Sequence, residues 1–377
     1  MMKTRIAYCI ERLDNPRGTE RVLSTVVNSL ADIYEITIIT SSQKDRPDFF
    51  PLHPDIKRVD IAINTGLKHN TVFHNRILNE YKRKLASFLQ KEKFDVVIAL
   101  SGLQFYFLHS IQDGSFKIAW FHFSFDISNH LIGNRYHGYL KRLLVYLHTQ
   151  RRIWHAKKYA RLLVVSRSDA NIWRLHCDNV VSIYNPITIE TREHAKLLNK
   201  SCIAVGSLTV EKGFDILINS WLLVNKKHPE WNLNIFGDGC LRDRLQQQIN
   251  KNNLQNVIRL RGVSQHLERE YLQHSICIMS SRTEAFSLVL VEAASCGLPA
   301  VACKCKDVIS EIITDGENGV LAEPVGDCQI LADKICYLIE NENIRKRMGK
   351  IAVSKAKVFS IEKVRKEWVS LIDELLL

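Results

Sequence analysis

The stretch SSRTEAFSLVLVEAASCGLPAV places Glu284 and Glu292 at the two ends of seven residues that are otherwise apolar or small. Glutamate is almost never buried unless it is paired or hydrogen-bonded. Either one of the two is solvated by chance, or both face something polar from outside the chain. The residues ahead of them, Ile276–Met279, read as a strand, and Ser287 is of the type that starts a helix. Glu284 then lies in the loop before that helix and Glu292 about a turn and a half inside it. Free amides around Phe286, Ser287 and Leu288 would form a site for phosphate. Since carboxylates accept hydrogen bonds from paired hydroxyls, the arrangement suits a phosphate flanked by two polyols, as in a nucleotide sugar. A surface glutamate beside a capped helix accounts for the same spacing.

Two further stretches carry the same signature. AVGSLTVEKGFDIL sets a strand, a turn at Gly206 and Ser207, and then Lys212 beside Gly213 ahead of a helix. A lysine there reaches a diphosphate as a point charge. NIFGDGCLRDRL puts Gly237, Asp238 and Gly239 after another strand, a turn that lets backbone come close to a ligand. Each alone is compatible with a tight connection. Together, three strand ends carry glycine turns or carboxylates, all expected on one edge of one sheet.

The elements that would position these residues alternate along the chain. Strands are expected at Arg5–Ile10, Glu35–Thr40, 95–100, 117–121 and 162–165, and again at 202–205, 233–236, 257–260, Ile276–Met279 and 299–302, with apolar-striped helices between. Such alternation implies parallel sheets with crossover helices, an α/β fold. The polar stretch TIETREHAKLLNKS separates two such series, so the reading is two Rossmann-like domains facing across a cleft, over 1–190 and 200–355. Residues 356–377 are expected to form a closing amphipathic helix. Ligands of open α/β sheets gather at the carboxyl ends of the strands, where the motifs above fall.

With 377 residues and 46% hydrophobic content, the chain is globular and large enough for two cores. No apolar run reaches membrane-spanning length, and the start is too short in apolar residues for a secretory signal. Ten scattered cysteines, mostly within apolar segments, imply reduced thiols and a cytoplasmic setting. The CKC at Cys303 and Cys305 lacks further ligands at metal spacing, so no metal is expected. The net charge of +12 is uneven: residues 1–190 hold 27 Lys and Arg against 17 Asp and Glu, the remainder 25 against 23. Between Asp126 and Asp169 there is no acidic residue and there are nine basic ones. Arg151, Arg152, Lys157 and Lys158, interleaved with aromatics, suit an anionic membrane surface or a polyanionic acceptor. A solvated helix face accounts for them too. No nucleic-acid-binding motif accompanies the charge, so nucleic acid is not an expected partner.

The order Gly206…Glu211-Lys212-Gly213, then FGDG, then the Glu284–Glu292 segment, then SEIITDGENGVL, resembles the retaining glycosyltransferases of family 4, of the GT-B fold. NPRGTERVL matches their usual glycine loop, and WFHFSFD their usual histidine position. Within the family the chain is most similar to transferases building O-antigen, capsule or other surface polysaccharide, including lipopolysaccharide.

The resemblance implies roles. Glu292 would hold the ribose hydroxyls, Glu284 the donor-sugar hydroxyls, and the amides near Phe286–Leu288 the diphosphate, with Ala285 beside them in the donor site. Lys212 would neutralise the departing nucleoside diphosphate. Gly18 and Thr19 would approach the donor phosphate or the acceptor, and His122 the reacting sugar. Three departures stand out: Ser207 where the family usually has arginine, Ala285 and Ser287 in place of glycines, and Val308-Ile309 in place of Gly-Pro. The expected activity is transfer of a hexose, with retained configuration, from a UDP-sugar, or second a GDP-mannose donor, to a lipid-linked saccharide. It would take place at the inner face of the cytoplasmic membrane, as a peripheral protein without cofactor. A sugar-nucleotide epimerase of the same fold and a catalytically silent donor-binding subunit are the alternatives.

Overall fold

The computed structural model describes residues 3–63, 71–132, 136–189 and 191–377. The chain divides into two compact units, Met1–Pro186 together with Ile361–Leu377, and Ile187–Ser360. The first holds strands β1 (Arg5–Ile10), β2 (Glu35–Thr40), β3 (Lys57–Asp60), β4 (Val96–Leu100), β5 (Phe116–Phe121), β6 (Arg161–Val164) and β7 (Val180–Ser182). They form one parallel sheet in the order β3-β2-β1-β4-β5-β6-β7. The second unit holds β8 (Ser201–Val205), β9 (Asn232–Phe236), β10 (Ile258–Gly262), β11 (Ile276–Met279), β12 (Ala300–Cys303) and β13 (Gly319–Ala322). Their order is β10-β9-β8-β11-β12-β13, again parallel. Both units are therefore α/β and Rossmann-like.

The strands form where continuous apolar runs demand cover on both faces. VVIAL of β4 and ICIM of β11 are buried at every position, the pattern of parallel strands sandwiched by helices. Each unit has its own core. Val97, Ala119 and Trp173 belong to the first, and Leu217, Trp221 and Ile235 to the second. In each sheet the strand order reverses beside the first strand, between β1 and β4 and between β8 and β11. Those are the switch points where loops diverge and a ligand can enter.

Residues 188–201 were expected to separate the domains, but they are built into the second unit. Leu197 is buried, the Ala195 amide donates to the Cys296 carbonyl at 2.8 Å, and Arg345 donates to the Leu197 carbonyl at 3.2 Å. The closing helix runs over Ile361–Leu376 and belongs to the first unit. Its Trp368 is fully buried, with ring centroids 4.7 Å from Trp120 and 6.2 Å from Tyr8. Arg365 pairs with Asp32 at 2.6 Å on the same side. All ten cysteines are free, and most are buried. Among the described residues, no helix is long and apolar enough to cross a membrane.

Candidate active site

Three loops of the second unit meet beyond β8, β9 and β11. The Gly206 amide donates to the Phe236 carbonyl at 2.9 Å, the Leu208 amide to the Asp238 carbonyl at 2.9 Å, and the Gly237 amide to the Gly262 carbonyl at 2.7 Å. Backbones pass so closely here that side chains are excluded. A Cβ on Gly237 would lie 1.9 Å from the Gly206 oxygen, and one on Gly213 would lie 2.1 Å from the Ser280 oxygen. Gly213 is also left-handed, with φ of 63°, a region that favours glycine. Ser207 and Asp238 are exposed at the rim, Gly239 is half-buried, and the Asp238 carboxylate accepts from the Gly239 amide at 2.9 Å.

Lys212 and Glu284, expected to take separate roles, are brought into direct contact. The ammonium donates to Glu284 Oε1 at 2.7 Å, and the Ser281 hydroxyl donates to the same oxygen at 2.7 Å. The Glu284 side chain is nearly buried while Lys212 is about a quarter exposed. The loop holding Glu284 is pinned by groups that no motif announced. Ser280 donates to the Lys212 carbonyl at 2.9 Å, and the Arg282 amide donates to the Glu211 carbonyl at 2.7 Å. The Arg282 guanidinium grips Asp215 through two bonds, at 2.8 and 2.7 Å. That bidentate contact lowers the Asp215 carboxyl below its ordinary range and raises Arg282.

Glu292 sits in the helix Leu288–Ser295, a little over one turn from its start, and is 1% exposed. Both carboxylate oxygens are held from within the unit. Thr188 donates its hydroxyl to Oε1, and Tyr271 donates to Oε2 at 3.2 Å. Neither partner is legible from a motif, because Thr188 lies 104 residues away in sequence. Ser287 occupies the N-cap position with φ of −102° but makes no side-chain cap bond. The expectation of a serine cap therefore fails, and the first-turn amides are not satisfied by that hydroxyl. Phe286 is buried against Phe359, ring centroids 5.6 Å apart, while Ala285 and Leu288 are half-buried. With φ negative at Ser287, a side chain is accommodated there without strain. Val308 and Ile309 are buried residues of the helix Asp307–Ile312, so they serve packing.

In the first unit, Gly18 is exposed at the start of the helix Gly18–Leu30, with Thr19 half-buried beside it. The next residue, Glu20, is buried; burial raises its carboxyl, and Oε2 is enclosed with no hydrogen-bond partner. His122 follows β5, its amide donating to the Ser101 hydroxyl at 2.8 Å. Its ring lies 4.6 Å from Trp120, and its Nε2 is also enclosed without a partner. Burial depresses the imidazole to about 3, so it is neutral near pH 7. As a neutral ring it can exchange hydrogen bonds but carries no charge.

The four basic residues expected on one surface are split by the structure. Arg151, Lys157 and Lys158 are exposed. Arg152 is 1% exposed and donates inward to the Phe125 carbonyl at 2.9 Å and the Ser128 hydroxyl at 3.0 Å. Its guanidinium lies 4.9 Å from the Phe121 ring and 5.4 Å from Trp173. Burial lowers it to about 10. The assignment of Arg152 to a membrane or acceptor surface is thus corrected: it is an internal cross-brace, on the body-facing side of its helix.

Comparison with known proteins agrees with this architecture. Residues 190–355 match the family described as glycosyl transferases group 1, and residues 16–191 match glycosyltransferase family 4. An uncharacterized glycosyltransferase of Haemophilus influenzae is 26% identical over 98% of this chain and 99% of its own length. The amylovoran biosynthesis glycosyltransferase AmsD of Erwinia amylovora is 30% identical, over 45% of this chain and 47% of that protein. Among solved structures, S. aureus TarM, crystallised with Fondaparinux, alpha-GlcNAc-glycerol and UDP, superposes with a TM-score of 0.79. It is 16% identical over 98% of this chain and 99% of that one, a likeness of fold. With two family models spanning nearly its whole length and two parallel Rossmann-like sheets, the chain belongs to the family 4-like glycosyltransferases of the GT-B fold.

Proposed function

We propose that this chain is a retaining hexosyltransferase that takes a nucleoside-diphosphate sugar, UDP-linked in preference to GDP-linked, and glycosylates a hydroxyl of a lipid-linked saccharide. The observation that carries the reading is the convergence of Lys212, Glu284 and the uncapped start of the Leu288–Ser295 helix at the edge of the second sheet. A diphosphate arriving there would draw the Lys212 ammonium off Glu284. The freed carboxylate, still held by Ser281, would then accept from donor-sugar hydroxyls. Glu292, aimed by Thr188 and Tyr271, would accept from the ribose hydroxyl pair. Gly206, Gly237 and Gly239 would let backbone approach the nucleotide closely. In the first unit, the Gly18–Thr19 turn would meet phosphate or acceptor oxygens, and neutral His122 would exchange a hydrogen bond with a sugar hydroxyl.

The chemistry breaks the bond between the anomeric carbon and the diphosphate oxygen, whose electron pair leaves with the nucleotide. The acceptor oxygen forms the new bond and passes its proton to the departing diphosphate oxygen. Negative charge grows on the leaving group, and Lys212 with the helix-terminus amides would stabilise it without a cofactor. The AmsD likeness and the basic first unit support a surface-polysaccharide acceptor presented at the inner face of the cytoplasmic membrane.

Glu292→Ala removes charge-assisted hydrogen bonds of roughly 1.5–3 kcal/mol, so nucleotide affinity should fall about ten- to hundredfold by calorimetry. Unchanged binding of both UDP and GDP would overturn the donor assignment. Conversion of donor alone into an epimer, with no transfer to added acceptor, would overturn the transferase reading.

A further inference from the structure

The helix Gly138–Ala156 turns polar side chains inward and an apolar stripe to solvent. Three polar side chains face the body of the first unit and meet at one hydroxyl. Thr149 and Arg152 donate to Ser128 Oγ at 2.9 and 3.0 Å, and His148 Nδ1 lies 3.0 Å from it. Ser128 itself is fully buried. Six large apolar side chains point to solvent, while Ile153 and Ala156 pack into the core and Leu144 and Val145 are half-buried. Tyr139 is 81% exposed, Tyr146 60%, Leu147 53% and Trp154 54%, with Leu140 and Leu143 exposed beside them.

At about 100° per residue, these six fall within an arc of about 120°. Gln150 is the one polar residue in that arc. Arg142 flanks the stripe on one side and Arg151 on the other, both exposed. Lys157 and Lys158 cap its far end, the Lys158 ammonium lying 3.2 Å from the centre of the Trp154 ring. A water-facing helix of a finished surface puts its polar residues outward. A contiguous apolar face rimmed by polar groups marks an interaction surface.

We infer that this face inserts into the headgroup boundary of an anionic lipid bilayer, so that the helix lies in the plane of the membrane. Charge decides between occupants. From Ile127 to Ser168 the chain carries no acidic residue. Pairing with a second copy about a twofold axis would set one basic rim, Arg142, Arg151, Lys157 and Lys158, against another. An anionic lipid surface neutralises the same groups while leucine and aromatic side chains leave water. Tyrosine and tryptophan, apolar with one polar edge, suit that boundary. The inference deepens the membrane part of the function proposed above and is independent of the donor chemistry.

The test uses the full chain and vesicles of phosphatidylcholine with and without phosphatidylglycerol, read by co-sedimentation. Insertion predicts that binding to the anionic vesicles survives in part at about 0.5 M salt, where exposed charges are screened. Leu143→Gln with Leu147→Gln should weaken it by about tenfold or more. Trp154 emission should shift to the blue on binding, judged against Trp154→Phe. Both leucines are exposed, so thermal unfolding and nucleotide affinity should stay at parental values. Tyr139→Ser, at the most exposed position, provides a second variant should the pair disturb folding. Unaltered vesicle affinity in these variants, or binding abolished by salt alone, overturns insertion. A dimer in sedimentation equilibrium that the leucine pair dissociates would reassign the face to contact between copies.

Discussion

At the edge of the second sheet, Glu284 and Glu292 accept hydrogen bonds from Lys212, Ser281, Thr188 and Tyr271 of the same unit. At the first sheet, Glu20 Oε2 and His122 Nε2 are enclosed with no such partner among the described residues. Both regions stand at the switch point of a parallel sheet, so topology does not separate them. The difference lies in how polar atoms are satisfied. An enclosed unpaired group costs about 1–3 kcal/mol. The first unit therefore holds two polar atoms at that cost, while the second presents acids already fixed in place.

The contrast can be broken first at Arg152. Arg152→Ala removes the donor to Phe125 and Ser128 and leaves a cavity between Phe121 and Trp173. It should lower the stability of the first unit by about 3 kcal/mol. Two transitions in calorimetry, with only one displaced, would show that the units carry separate stabilities; equal displacement of both would refute it. Gly213→Ala attacks the other side. A left-handed alanine costs roughly 1–2 kcal/mol before any clash with the Ser280 carbonyl. The second unit should melt earlier and bind nucleotide more weakly, with the first unit unmoved. The smallest effect sharpens the picture most. Tyr271→Phe deletes one hydrogen bond to Glu292, worth about 0.5–1.5 kcal/mol, and should weaken nucleotide affinity by roughly three- to tenfold. If Tyr271 acts by aiming Glu292 at the ribose, the variant and its parent should bind a 2′-deoxynucleotide more nearly alike. An equal loss against both ligands would make the tyrosine merely structural.

Runs such as ICIM and VVIAL announce themselves as buried strands, and the glycine turns after β8 and β9 mark in the sequence the edge proposed for the donor. β3, β7 and β13 do not announce themselves. KRVD and VVS are too short for alternation to register, and β13, GVLA, begins with the glycine that follows the turn. The acids of the site were legible because carboxylates are out of place in an apolar run. Their keepers were not: a threonine at 188 and a tyrosine at 271 are ordinary residues until the fold joins them to Glu292. Arg152 was misread because net charge reports composition, not direction. Arg151 and Arg152 are adjacent in sequence, yet one points to solvent and the other to Ser128.

The burial of Trp368 against Trp120 and Tyr8 has a consequence for biosynthesis. The first unit combines residues 1–186 with 361–377, so it cannot be finished until the whole of the second unit's sequence, 187–360, has been made. The first unit, begun earlier, waits with two aromatic rings uncovered until the last helix emerges. A chain cut short near residue 360 would thus leave the first half without its covering helix, although that half was the first to be made.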